Sequence, residues 1–195
     1  MLKNANIMES ETFQLIALGA NVPTEHNFPA QTLADAVAAL AATGFAIRAV
    51  SRFFRTPCFP AGAGPDYVNA AVAVQSAWSA RGILHRLHAI EAEFGRARTQ
   101  RWGARTLDLD LLAIGGAVLP DEAGYRKWQA LDPDLQAKAA PDELILPHPR
   151  IQDRGFVLVP LSDIAPNWRH PVLKRTTAQM LSDLAPEQTA DIISL

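Results

Sequence analysis

"RWGARTLDLDLLAIGG", residues 101–116, is the stretch from which the fold is read. In it Leu107, Leu109 and Leu111 alternate with Thr106, Asp108 and Asp110. A period of two marks a strand with one buried face, so the leucines point to a core and the aspartates share the other side, roughly 7 Å apart. Asp is depleted in strands, and like charges one pleat apart repel each other. A solvated outer face could carry them. A divalent cation would remove the repulsion, and paired carboxylates with phosphate oxygens are the usual surroundings of Mg²⁺. Arg96, Arg98, Arg101 and Arg105 fall within the ten residues before the strand. Each offers a planar fork of donors that fits phosphate or carboxylate.

Outward from this strand the elements alternate. Residues 80–95 read as a helix that Ser79 caps and Gly95 stops, with Ile83, Leu87, Ile90 and Phe94 as its apolar stripe. Residues 66–75 and 45–54 read as strands, separated by the loop "RTPCFPAGAGP" (55–65) with its three prolines and two glycines. Residues 29–44 read as a helix with Pro29 in its first turn, and 12–21 as a first strand. The order βαββαβ predicts a ferredoxin-like α+β fold, an antiparallel sheet with helices on one face. A polar insertion with a short helix is expected over 117–143, an apolar return over 144–168, and a short capped helix at 176–184 in a C-terminal extension. One domain over 1–195, with its core at about 12–168, is the expectation.

Composition sets bounds on function. Of 195 residues 49% are hydrophobic and 19% charged, and the net charge is −2. This fits a soluble enzyme or binding protein with no global drive toward nucleic acid or anionic membrane. The single Cys58 excludes an intrachain disulfide and a cysteine-based zinc cage. The first residues have no apolar signal core, and no run is long enough to span a membrane, so a cytoplasmic location is expected. There is no G-x-x-x-x-G-K-[ST] loop. Bound phosphate would therefore be held by arginine and metal.

Other candidates remain open on their residues alone. Thr56 and Pro57 open the Pro/Gly loop, and Tyr67 and Asn69 share one face of a strand. An aromatic ring beside an amide could stack on a flat ligand and bond its edge, or be a half-exposed tyrosine near a turn. Glu91 reads by position as an ordinary exposed helix glutamate. His148 lies between two prolines, rigidly held and either structural or catalytic. Arg154, ahead of Gly155 and Phe156, could reach an anion. Trp102 could plug a core or cover a bound ring.

The pieces "LGAN", "SRFFRTP", "DYVNAAV", "IEAEFGRAR", "RWGARTLDLDLL", "LPHPRI" and "DRGFVLVPLSDIAP" occur in that order. In this the chain resembles the 6-hydroxymethyl-7,8-dihydropterin pyrophosphokinases of folate biosynthesis over most of residues 13–168. The resemblance implies a ferredoxin-like enzyme that moves pyrophosphate from ATP to the pterin hydroxymethyl group and releases AMP. It implies that Asp108 and Asp110 bind two Mg²⁺ ions and that Arg96 and Arg98 assist the chemistry. Thr56, Pro57, Tyr67, Asn69, Trp102 and Phe156 would line the pterin site, with Tyr67 and Phe156 on either side of the ring. Glu91, Arg105, His148 and Arg154 would line the ATP site. The implied partners are these two small molecules, without nucleic acid or membrane, and a monomer suffices. Pro149 follows His148 where the family often has an aromatic, and Glu143 stands where an arginine can occur. A nucleotide-binding module without turnover is the alternative, and a two-metal nuclease lacks the broad basic stripe it would need.

Overall fold

A computed structural model describes residues 13–23, 27–58, 64–95, 106–132, 135 and 143–195. Six strands form: β1 (Phe13–Ala20), β2 (Ala46–Val50), β3 (Phe54–Thr56), β4 (Tyr67–Gln75), β5 (Asp108–Ile114) and β6 (Ile193–Ser194). They form one antiparallel sheet in the order β5-β1-β4-β3-β6, with β2 also paired to β4. The single strand expected over 45–54 is two strands. Between them Ser51 bonds Ala71 twice: its N–H donates to the Ala71 carbonyl, and its hydroxyl accepts the Ala71 N–H, each at 2.9 Å. Arg55 and Thr56, expected in a loop, belong to β3.

Helices α1 (Pro29–Ala42) and α2 (Ala80–Glu93) cover one face. Pro29 opens α1, and the Ser79 hydroxyl caps α2 by accepting the Gly82 N–H at 3.2 Å. Gly44 and Gly95 follow these helices with φ of 99° and 77°, where side chains other than glycine are strained. Ile16, Leu18, Val72 and Val74 from the sheet meet Leu33, Leu40, Ile83 and Leu87 from the helices. Leu107, Leu109 and Leu111 join this core, as the alternation predicts.

The other face is covered too, which corrects the expectation of helices on one face only. Helix α4 (Gly155–Ile164) lies across it, supported by α5 (Thr177–Ser182). Val157, Leu158, Leu161, Trp168 and Met180 bury Leu15, Ala71, Leu112 and Ala113 there. Leu112 and Ala113 are adjacent, yet both enter this core. Ile16 pairs with Leu111 while Leu15 pairs with Ala113, so Leu112 is the extra residue of a β-bulge. The short helix expected in the insertion is α3 (Glu122–Gln129), capped by Asp121. Its Tyr125 is fully buried with Ile145 and Val172, so this ring packs on the body. Among the described residues no helix is long and apolar enough to cross a membrane.

Candidate active site

The register across the sheet assembles the site. Asp108 is opposite Gly19, Gly19 opposite Asn69, and Asn69 opposite Phe54. One step along, Asp110 is opposite Ala17 and Ala17 opposite Ala71; in the other direction Tyr67 is opposite Thr56. Directly paired residues point to the same side of an antiparallel sheet. Ala71 packs under α4, so Asp108, Asp110, Asn69, Tyr67 and Thr56 all belong to the α4 face. Asp108, Asp110 and Tyr67 are half-buried, whereas Asn69 and Thr56 are buried.

Gly19 separates the carboxylate end of this row from its amide end. A Cβ there would stand 2.9 Å from Asn69 Oδ1, so only glycine leaves that amide its place. Asn69 Nδ2 in turn donates to Thr56 Oγ1 at 2.7 Å. The pair forms a buried polar edge with Tyr67 beside it. Just beyond β1, Asn21 Nδ2 donates to the Pro65 carbonyl at 3.4 Å and pins the end of the loop that leads into β4.

The Leu112 bulge positions the histidine. Its carbonyl accepts the His148 N–H at 2.8 Å. The His148 carbonyl accepts the Ile151 N–H, and its Nδ1 accepts the Arg150 N–H at 3.1 Å. With Nδ1 an acceptor, the neutral ring carries its proton on Nε2. Desolvation, reinforced by Arg154 and Arg150, pushes this imidazole down from 6.5 to about 3, so it stays neutral. Arg154, at the start of α4, brings Nη1 to 3.9 Å from Asp110 Oδ2. Its guanidinium also lies 5.6 Å from the centre of the Phe156 ring, which is itself exposed in the first turn of α4.

Glu91 is not the exposed residue its position suggests. It is 1% exposed, and its Oε1 accepts the Leu109 N–H at 2.8 Å. A carboxylate on α2 thereby holds the outer edge of β5 at the residue between the two aspartates. Pro57 is exposed directly after β3. Arg96, Arg98, Trp102 and Arg105 lie outside the described residues.

The donor set suits a hard cation held in part by substrate. Asp108 and Asp110 offer oxygens from one face, and among the described residues no cluster of three or more His, Cys, Asp or Glu forms a closed cage. Mg²⁺ is commonly bound this way, by one or two carboxylates together with phosphates and water. The sheet face thus pairs two carboxylates and an arginine with an aromatic and amide edge suited to a flat polar ring.

Gly19, the Leu112 bulge and the burial of Glu91, though not Glu91 itself, escaped the sequence reading. Gly19 carried a signal, since an isolated glycine inside a strand marks close approach. Glu91 carried one as well, four residues after Leu87 and so inside the apolar stripe. The Leu112 bulge carried none, because all of "LLAI" is apolar.

Comparison with known proteins follows the same lines. Residues 15–166 match the family model for 7,8-dihydro-6-hydroxymethylpterin-pyrophosphokinase (HPPK). The 2-amino-4-hydroxy-6-hydroxymethyldihydropteridine pyrophosphokinase of Synechocystis sp. is 36% identical over 172 residues, covering 87% of this chain and 75% of the relative. That of Methylorubrum extorquens is 37% identical over 153 residues, covering 78% and 82%. Among solved structures, an HPPK-DHPS in complex with substrates aligns with a TM-score of 0.62 at 12% identity, over 88% of this chain. Wild-type Plasmodium falciparum HPPK-DHPS with SDX-DHP aligns with a TM-score of 0.58 at 14% identity over 88% of this chain. This chain spans 43% of each of those two solved chains, and at such identity the likeness shows the fold alone.

Proposed function

The chain belongs to the HPPK family, and from that premise we propose that it transfers pyrophosphate from ATP to the hydroxymethyl oxygen of 6-hydroxymethyl-7,8-dihydropterin in folate biosynthesis. The oxygen forms a bond to the β-phosphorus as the bond from that phosphorus to the α–β bridging oxygen breaks. The hydroxyl loses its proton and AMP leaves. The observation that carries this reading is the cross-strand row in which Asp108 and Asp110 share one sheet face with Asn69 and Thr56, with Gly19 between.

Each side chain has a part in this scheme. Asn69 and Thr56 bind the polar edge of the pterin, and Tyr67 and Phe156 take its faces. Asp108 and Asp110 are the residues that would hold Mg²⁺, two ions by the family resemblance. When bound, the metal supplies positive charge to the phosphate oxygens and aligns them for in-line displacement. Arg154, close to Asp110, adds fixed positive charge at the triphosphate. His148 donates from Nε2 to a phosphate oxygen, and its low pKa keeps it a neutral donor throughout the working pH range. Glu91 supports the carboxylates through the backbone of Leu109. Arg96, Arg98, Trp102 and Arg105 are assigned by resemblance, the first two to charge stabilisation, Trp102 to the pterin and Arg105 to ATP.

The test is a product assay with the purified chain, ATP, Mg²⁺ and the hydroxymethyl pterin. AMP formed only when pterin and metal are both present supports the proposal. ADP would replace it with simple phosphoryl transfer. Tight nucleotide binding without turnover would replace it with a binding module.

A further inference from the structure

Residues 185–195 run between the two structures that flank the proposed pterin site. At one end, the turn Pro186–Gln188 sits against the start of α4. A Cβ on Gly155 would clash with the Gln188 carbonyl oxygen, and Gln188 Nε2 donates to the Asp153 carbonyl at 3.1 Å. These contacts bracket Arg154 and adjoin Phe156. At the other end, β6 pairs with β3, Ile193 opposite Arg55 and Ser194 opposite Phe54, and the Leu195 N–H donates to the Phe53 carbonyl at 2.9 Å. β3 has only three residues, and it presents Thr56 to Asn69.

This pairing contributes little to the core. Ile193 is 49% exposed and Leu195 63%, so β6 is held by backbone bonds with little apolar burial. What the segment does is join the start of α4 to the outer edge of β3. At its far end α4 is joined to the same region, where Asp163 accepts from Arg52 Nε and Nη2 at 2.9 and 2.8 Å.

We propose that residues 185–195 are a strap that sets the distance between the Phe156 and Thr56 walls of the site, a positioning element for the pterin and not for ATP. The inference rests on the pyrophosphokinase reading for its substrate, and on geometry alone for its mechanics. Paired strand backbones resist sliding, so β3 cannot move away from α4 without breaking either the β6 ladder or the Gln188 contact. ATP, assigned to the Asp108, Asp110 and His148 side, comes near the strap only through Arg154, at the α4 end.

The experiment uses the double variant Ile193→Pro with Leu195→Pro, which removes two N–H donors at exposed positions. Gly155→Ala is the second variant and displaces the other end of the strap. The expected result is a KM for the pterin raised about fivefold to tenfold, the scale of a hydrogen bond or two. In the double proline variant, whose changes lie at the β3 end away from Arg154, the KM for ATP stays within about twofold. Amide hydrogen exchange of the unliganded protein provides a readout independent of activity. The double proline variant should speed exchange at residues 155–158 as well as 54–56, and Gly155→Ala should do the reverse across the same distance. An unchanged pterin KM in either folded variant overturns the proposal. So does an equal rise in both KM values in the double proline variant, or faster exchange confined to the mutated end. A wild-type chain that forms no AMP defeats the enzyme reading instead, and the exchange measurement still decides the strap.

Discussion

Gly19 illustrates how much one missing side chain controls. Replacing it with alanine puts a methyl 2.9 Å from Asn69 Oδ1, and the amide must turn away from Thr56. We expect Gly19→Ala to cost about 1 kcal/mol of pterin binding, roughly fivefold in KM, with ATP binding unchanged. Steady-state kinetics with each substrate varied will check this. Asp108→Asn and Asp110→Asn should each lower AMP formation by roughly 10²-fold or more, since each removes charge at the phosphates. Circular dichroism should show the fold intact, because both side chains are half-buried and outside the leucine core. These two aspartates were legible because strict alternation fixes which side of a strand a residue occupies. Gly19 was harder to read, since its importance lies in what stands opposite it, and register is a property of the whole sheet.

At the scale of elements, β5 and α4 show where periodicity suffices and where it fails. β5 announced itself by its first half, and the Leu112 bulge ended the pattern without leaving a trace in composition. α4 has glycine at its first position and Pro160 in its interior, and it is apolar around much of its circumference. Local propensity speaks against such a helix. Burial between the sheet and α5 stabilises it, a tertiary effect no window of sequence contains. The split of the predicted strand at Ser51–Phe53 has the same origin, since Ser51 is a strand breaker only because its hydroxyl replaces a backbone acceptor for Ala71. The contact between α2 and β5 yields a prediction at this scale. Glu91→Leu leaves the Leu109 N–H buried without its acceptor and should destabilise the protein by about 1–3 kcal/mol. Glu91→Gln keeps an acceptor and should cost less. Urea unfolding of the two variants will separate them.

At the scale of the whole molecule, two histidines resist charging. His170 is fully buried, and its Nδ1 accepts the N–H groups of Val172 and Leu173 at 3.2 Å. Its Nε2 therefore donates to Tyr125 Oη at 3.0 Å, tying α3 to the chain leading into α5. Desolvation, with Lys174 nearby, lowers this imidazole from 6.5 to about 4, and His148 is lowered to about 3. In both cases the unfolded chain takes up the proton first. Stability is therefore complete above about pH 6.5 and falls as pH drops from there toward 4, by up to two protons' worth of slope. Urea midpoints measured from pH 7.5 to 4.5 should decline below pH 6.5, and a flat profile would contradict this assignment of protonation states. The same measurement on Tyr125→Phe should show about 1–3 kcal/mol lost at neutral pH, because a buried N–H is stranded. The chain's tolerance to changes of length follows from the single extra residue at Leu112. That residue is looped out of the ladder, so Leu111 and Ala113 meet the consecutive residues Ile16 and Leu15 as neighbours in a regular strand would. Substitution there by another aliphatic residue is a minor matter of packing. Deleting it would leave the two halves of β5 in step with β1 but would remove the carbonyl that accepts the His148 N–H, so the loss would fall on the histidine and not on the sheet.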